Sequence, residues 1–318
     1  MTESVSPPVA IAELSSHPAF GVTDVLLLAM ATIWGSNFVV VKYATRIFNP
    51  VAFTGLRVGT VAIFMILFAL LRSAGSGERA TSRRAQARSL SRGVITRLLL
   101  LGVVGNGLYQ LCFVHGVART RAGNAALIVG AAPAFIALAA RAKGLERIQR
   151  MTMMGIVLSV LGVGLVMLGS ANAGAGQTTL LGSVLVFLGV VCWTFYTIFL
   201  QPYTKRVDAI TLSALTLIGG GVPLLIAASP AIVATDWSRI GIMGWMALIY
   251  SSIVSMGIAY LFYYRGLRVL GPTRTAVYSN LQPIIALLIA WPLLGETPTI
   301  FQGVGAATIV AGVFMTRA

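Results

Sequence analysis

The sequence predicts an all-α polytopic membrane protein whose ten transmembrane helices form two inverted five-helix repeats. Three observations lead to this prediction. The composition is strongly apolar, the apolar residues fall into ten separate runs, and the second half of the chain repeats the spacing of the first half. Hydrophobic residues make up 57% of the 318 residues and charged residues only 10%, whereas a soluble protein has about 25% charged residues. A water-soluble globule is therefore excluded.

The apolar runs have the length that a helix needs to cross the hydrocarbon core of a bilayer, about 20 residues. They are apolar on all sides, which favours helices over the alternating pattern of a closed barrel. The predicted spans are residues 25–44, 50–71, 98–117, 122–140, 151–170, 180–200, 210–229, 241–264, 272–294 and 299–316.

The distribution of Lys and Arg predicts the orientation, because cytoplasmic loops are enriched in these residues. The connections after the even-numbered spans hold 17 of the 23, and the opposite side holds five. We therefore predict a multi-pass protein of the bacterial inner membrane with cytoplasmic N- and C-termini. Residues 1–21 have three prolines and no Lys or Arg, so they are predicted to be a mobile tail rather than a signal peptide.

An internal repeat divides the chain into two halves, which we place at residues 22–172 and 173–318. A shift of 150 residues pairs twelve identical residues between 107 and 163 without a gap, and half of them are Gly, Pro or Glu. Each half has five spans, so the second half must enter the membrane in the opposite sense. Inverted repeats are typical of secondary transporters, whose substrate site lies near the midplane between the repeats.

Three motifs occur in order along the chain: WGSNF at residues 34–38, AALIVGAAP ending at Pro133, and LLGE ending at Glu296. Together they resemble the EamA-type members of the drug/metabolite transporter superfamily. Their order, spacing and duplication are more specific than any single motif, and the resemblance covers nearly all of residues 22–316. Within the superfamily the chain is similar to bacterial aromatic amino-acid exporters of the YddG type. One departure is that a basic stretch, ARAKGL, precedes Glu146.

Polar and aromatic residues in the middle of the spans are candidates for substrate binding, because they are costly to place in hydrocarbon. Aromatic faces can stack on an apolar side chain, and amides can hydrogen-bond the amino and carboxyl groups of a zwitterion. The predicted substrate-binding residues are Trp34, Asn37, Asn106, Gln110, Trp193, Tyr196, Tyr260, Tyr278 and Asn280. Interhelical hydrogen bonds and aromatic residues at the membrane interface are the alternative interpretation.

Four further residues are predicted to be gating or structural. Arg57 is the only strong base well inside a span. It either binds carbonyl groups at a helix end or contacts a gate or a substrate carboxylate. His115 is interpreted as structural, although an imidazole could also exchange protons. Pro133 and Pro283 should bend the fourth and ninth spans at matched depths, either for packing or as hinges.

We predict export of small metabolites, most of all aromatic or other large neutral amino acids, by alternating access through a central midplane cavity. Export of lipophilic or cationic drugs is the first alternative, and a membrane-embedded lipid-handling protein is the second. No enzyme motif, metal-ligand spacing or phosphate loop occurs in the sequence. We therefore predict no catalytic residues, cofactor, metal or nucleic-acid partner, and the expected partners are the substrate and membrane lipid.

Overall fold

The computed structural model describes residues 21–74, 90–144, 150–172 and 177–315, and every regular element in these ranges is a helix. Ten helical segments follow the ten predicted spans. They are α1 (Val22–Ala44), α2 (Pro50–Ala74), α3 (Arg92–Arg119), α4 (Ala122–Ala142), α5 (Arg150–Asn172), α6 (Gln177–Thr204), α7 (Ala209–Val233), α8 (Ile242–Val269), α9 (Pro272–Leu294) and α10 (Ile300–Met315).

Eight of these segments are long and apolar enough to cross a bilayer. The other two, α5 and α10, contain shorter apolar stretches at Met153–Val166 and Ile300–Gly312. This arrangement confirms the predicted fold class. The predicted N-terminal tail lies outside the described residues except for Gly21, as does Glu146. We call the end of the bundle where α1 begins and α10 ends the terminal end, and the opposite end the distal end.

Helices α3 and α8 each contain a π-helical segment, at Val103–Leu108 and Tyr250–Ile258. A shift of 150 residues places the first segment inside the second. Because π-helices account for well under 1% of residues in proteins, their coincidence extends the repeat from the sequence to the backbone.

Matched interruptions also occur in α4 and α9. The helical segments of α4 meet at Ala131, two residues before Pro133, and a 3₁₀ turn at Tyr278–Asn280 precedes Pro283 in α9. Proline has no N–H to donate and its ring crowds the preceding turn, which explains why both interruptions lie just before it. A hinge at these positions stays a prediction.

The packing of α5 against α10 shows that the equivalent helices are antiparallel. A Cβ added to Gly312 would lie 2.5 Å from the carbonyl oxygen of Gly155, and one added to Gly305 would lie 3.1 Å from that of Gly162. Residue numbers therefore rise along α5 as they fall along α10. The shift of 150 residues converts each of these two contacts into the other, as a two-fold axis between inverted repeats requires.

The two halves interlock through their first helices. Helix α1 packs against α8 and α9 of the second half, and α6 packs against α3 and α4 of the first half. This exchange brings α1, α3, α6 and α8 together in the middle of the bundle, where the π-helical segment of α8 packs against α1 and that of α3 packs against α6.

Candidate functional site

A central cavity of about 40 Å³ lies between the two halves. One ordered water needs at least about 10–15 Å³ of such space, so the cavity has room for a few water molecules and no more. Its polar and aromatic lining residues are Trp34, Asn37, Phe38, Arg57, Tyr109, Gln110, Phe113, Trp193, Ser255, Tyr260, Tyr263, Ser279 and Gln282. A metabolite larger than a few waters therefore requires the lining side chains to move apart.

Four rings form one wall of the cavity, which we call the aromatic box: Trp34, Trp193, Tyr260 and Tyr263. The ring centres of Trp34 and Trp193 are 5.6 Å apart in an edge-to-face arrangement, and those of Trp193 and Tyr263 are 5.2 Å apart. Such distances lie in the range that aromatic pairs prefer. The box joins helices from both halves, since Trp34 belongs to α1, Trp193 to α6 and the tyrosines to α8.

Helix α1 is hydrogen-bonded to the π-helical segment of α8. The indole Nε1 of Trp34 donates to the carbonyl oxygen of Ser255 at 2.9 Å. The hydroxyls of Ser36 and Tyr250 are 2.6 Å apart, and Tyr250 also donates to the carbonyl of Ile33 at 3.2 Å. These bonds fix the indole of Trp34 at the cavity wall.

The pair Gln110 and Tyr260 marks the symmetry axis of the repeat. The side-chain Nε2 of Gln110 donates to the hydroxyl of Tyr260 at 3.0 Å, and the shift of 150 residues makes these two positions equivalent. Two positions that a two-fold rotation exchanges can touch only at the axis itself. The cavity therefore lies on the axis, where the substrate site of an inverted-repeat transporter is expected.

Arg57 extends from α2 into the lining and is only 2% exposed. Its Nε donates to the carbonyl oxygen of Ser251 at 3.2 Å, and its guanidinium carbon lies 5.6 Å from the centre of the Phe113 ring. Its Nη1 is buried without a hydrogen-bond partner among the described residues. The predicted carbonyl contact is thus present, but inside α8 rather than at a helix end.

Acidic residues are remote from this arginine within the described chain. Asp24 lies in the first turn of α1, Asp208 caps α7, Asp236 precedes a short turn before α8, and Glu296 follows α9. None of them lines the cavity. The lining among the described residues therefore carries one positive charge and no negative one.

The structure brings five of the nine predicted substrate-binding residues to the cavity: Trp34, Asn37, Gln110, Trp193 and Tyr260. The other four lie outside its lining. Tyr196 and Asn106 are fully buried beside it, where the Tyr196 hydroxyl meets that of Tyr264 at 2.5 Å. Tyr278 donates a hydrogen bond to the carboxylate of Asp24 near the terminal end, and Asn280 is half-buried in α9. Substrate binding by the nine stays a prediction.

The structure also shows the contacts of two further residues of the predicted gating or structural group, His115 and Pro283. His115 lies in α3, where its Nδ1 is 2.9 Å from Nη1 of Arg119, and it does not line the cavity. Pro283 packs tightly on Gly130, whose added Cβ would lie 2.7 Å from the proline Cγ. These contacts are structural, and a gating role stays a prediction.

The predicted substrate-binding residues did not include Tyr109, Tyr263, Ser255, Ser279 and Gln282, which line the cavity. Tyr263 was detectable, because it shares a helix face with Tyr260 at a spacing of three. Tyr109 was not, because the π-helical segment immediately before it shifts the phase of α3 relative to a regular helix.

Lys42 holds α1 against α3 at the distal end. Its ammonium donates to the carbonyl oxygens of Val117, Ala118 and Thr120 at 3.1, 3.1 and 2.7 Å. The last carbonyls of a helix have no intrahelical partner, and a cation there also complements the helix dipole. The three bonds therefore hold the end of α1 against the end of α3.

Comparisons with known proteins agree with this architecture. The model of the EamA-like transporter family matches the chain twice, over residues 21–168 and 180–318. A solved crystal structure covers 91% of this chain and 94% of its own length with a TM-score of 0.65 at 18% identity, which shows a common fold.

Two relatives align over nearly their full lengths. The "Uncharacterized transporter YyaM" of Bacillus subtilis (strain 168) is 25% identical over 290 residues, covering 91% of each chain. The "Uncharacterized inner membrane transporter YedA" of Escherichia coli (strain K12) is 26% identical over 302 residues, covering 94% of this chain and 90% of its own. Together with the family match, they confirm the prediction of a multi-pass membrane transporter that is not an enzyme.

Proposed function

Because the chain belongs to the EamA-like transporter family, we propose that it exports aromatic or other large neutral amino acids across a bacterial inner membrane. In this proposal the terminal end faces the cytoplasm and the distal end faces the periplasm. The excess of Lys and Arg in the connections at the terminal end supports that orientation.

The proposed substrate class rests on one observation: the aromatic box and neutral amide side chains line the same cavity. The rings of the box offer faces and edges to an apolar or aromatic side chain. Asn37 Oδ1 and Gln110 Oε1 are buried acceptors without a partner among the described residues, and an ammonium group is a donor that would satisfy them. The cavity thus complements both parts of a large neutral amino acid.

A lipophilic cation is the weaker candidate on the same grounds. A site for a permanent cation gains most from a buried carboxylate, and no described lining residue supplies one. The aromatic box alone could hold a cation through its ring faces, but Arg57 would repel the same ligand. A lipid-handling role is weaker still, because the polar groups are gathered at the axis and not along a groove open to the bilayer.

Transport proceeds by alternating access in this proposal. The cavity of about 40 Å³ must widen to hold an amino acid, so binding and movement of the helices are linked. The inverted repeat supplies the second state, because exchanging the conformations of the two halves moves the opening to the other end. We propose that Pro133 and Pro283 absorb part of this motion and that the flux runs down the substrate gradient.

Flux into proteoliposomes tests the proposal. Purified protein is assayed with labelled phenylalanine, alanine, glutamate, lysine and one lipophilic cation, and scrambling of a labelled phospholipid is measured in parallel. We expect phenylalanine to enter fastest, with glutamate and lysine near the level of protein-free liposomes. Preferential entry of the cation, or lipid scrambling without amino-acid flux, would establish the corresponding alternative.

A further inference from the structure

We propose that Arg57 is the anchor for the substrate's carboxylate, so that the cavity selects small carboxylates with an aromatic or bulky apolar body even when they lack an amino group. This inference rests on the proposed function, since it assigns a ligand group within the same cavity. It adds a specificity-determining residue and widens the substrate class from neutral amino acids to apolar monocarboxylates.

The first argument is the uncompensated charge. A buried charge is strongly disfavoured unless a group of opposite charge or several hydrogen bonds compensate it. Arg57 is 2% exposed and makes one hydrogen bond to the described residues, from Nε to the carbonyl oxygen of Ser251. The described cavity lining contains no acidic side chain. An anionic ligand would supply the missing charge.

The second argument is geometric. The ring of Phe113 lies 5.6 Å from the guanidinium carbon, and the bond to Ser251 holds Nε on the side of α8. These two contacts leave Nη1 without a partner among the described residues. The planar guanidinium fork matches a carboxylate better than any other common group. The arginine is thereby fixed in place while part of its fork stays available.

The third argument concerns the direction in which a ligand binds. Helix α7 is the counterpart of α2 in the second half, and residues 209–233 contain no Lys or Arg. The positive charge therefore lies on one side of the axis marked by Gln110 and Tyr260. A ligand that pairs with Arg57 directs its carboxylate toward α2 and its apolar body toward the aromatic box.

The amino group contributes less than the carboxylate in this geometry. The acceptors available to an ammonium are the neutral amide oxygens of Asn37 and Gln110, whereas the carboxylate gains an ion pair as well as hydrogen bonds. Ion-paired hydrogen bonds are about twice as strong as neutral ones. Removal of the carboxylate should therefore weaken binding more than removal of the ammonium.

Binding of four matched ligands to the purified full-length protein in detergent tests this proposal. The ligands are phenylalanine, 3-phenylpropionate, phenylalaninamide and phenethylamine, and affinity is measured by calorimetric titration. We expect 3-phenylpropionate to bind within about tenfold of phenylalanine. The amide and the amine should bind at least about tenfold more weakly, since a hydrogen bond to a charged group is worth at least one factor of ten.

Substitutions test whether Arg57 causes the preference for the acids over the amide. Arg57→Gln should reduce the ratio of acid to amide affinity to near one, and Arg57→Lys should lower acid affinity but retain a preference for the acid. Arg268→Gln, which removes an exposed positive charge at the end of α8, is the matched control and should leave the ratio unchanged. If Arg57→Gln does not fold, the wild-type ligand series and Arg57→Lys still test whether Arg57 binds the carboxylate.

Equal binding of acid and amide by the wild-type protein would overturn the proposal, and is the result expected if an ordered water satisfies Nη1. An unchanged ratio in Arg57→Gln, or no binding of either acid, would also overturn it. These outcomes are distinct from failure of the proposed function. Binding of 3-phenylpropionate without flux of phenylalanine would reject amino-acid export and retain the arginine anchor.

Discussion

The close packing of α3 against α7 predicts that one added methyl group will strongly destabilise the protein. A Cβ added to Gly102 would lie 2.0 Å from the carbonyl oxygen of Thr216, and one added to Gly219 would lie 2.1 Å from that of Leu99. Ordinary contact begins near 3.4 Å. Gly102→Ala therefore requires α3 and α7 to separate by about 1.4 Å, the difference between 3.4 and 2.0 Å. The obstructing atoms are backbone, so no side-chain rotation relieves the clash.

The expected cost of this substitution follows from two opposing effects. Overpacking costs typically about 1–3 kcal/mol, and the rigidity of this contact favours the upper part of that range. Alanine is better than glycine in a helix by up to about 1 kcal/mol. We therefore expect Gly102→Ala to destabilise the protein by about 2 kcal/mol.

Thermal unfolding in detergent, followed by size-exclusion chromatography of the soluble fraction, measures the effect. The matched control is Gly164→Ala in α5, where an added Cβ meets nothing within 4 Å, so only the helix-propensity gain remains. We expect the unfolding midpoint to fall by several degrees for Gly102→Ala and to stay level or rise for the control. Equal midpoints for the two variants would refute the proposed helix contact.

Three further predictions concern the distal end, the orientation and the energy source. Lys42→Met removes three hydrogen bonds to the end of α3. At about 0.6 kcal/mol per interhelical bond in a membrane, the free energy of unfolding should fall by about 2 kcal/mol. Arg46→Met, at an exposed position, is the control and should leave the unfolding midpoint unchanged. In a variant without native cysteines, an impermeant maleimide applied outside intact cells should label Ser238→Cys and not Ser91→Cys, and the reverse pattern would contradict the orientation. An imposed pH gradient should leave phenylalanine flux unchanged in both the wild type and His115→Ala. Accumulation of phenylalanine that is driven by the pH gradient in the wild type and is lost in His115→Ala would contradict uniport.

The fold was predictable from the sequence because the bilayer restricts the options. Ten apolar runs allow only helices, and the matched Gly and Pro positions reveal the repeat without any structure. The helix ends were less predictable. The third span was predicted at residues 98–117, but α3 begins at Arg92. A hydropathy window stops at Arg97, whereas an arginine near a helix end can extend its head group to the interface.

The candidate site was predictable only in part, because a residue's depth and a helix's phase depend on neighbouring helices. Trp34 and Trp193 were both predicted to bind substrate, and their rings meet at the cavity. Asn106 and Gln110 were both predicted to bind substrate, yet the backbone of Asn106 lies against Gly220 of α7, whose added Cβ would be 2.6 Å away. In a regular helix two residues four apart share a face, but the π-helical segment that includes Asn106 changes this spacing.

The central claim is that an aromatic amino acid crosses the membrane through the cavity between the two halves, and two substitutions on α6 test it most directly. Trp193 is 7% exposed and lines the cavity, whereas Phe195, two residues later, is 43% exposed on the outside of the bundle and stacks on Phe199. Labelled phenylalanine flux is measured in proteoliposomes containing equal amounts of Trp193→Ala, Phe195→Ala or wild-type protein. We expect Trp193→Ala to lose at least about tenfold in flux, which corresponds to about 1.4 kcal/mol of lost aromatic contact, and Phe195→Ala to stay within about twofold of wild type. Equal flux through Trp193→Ala and Phe195→Ala would contradict the claim.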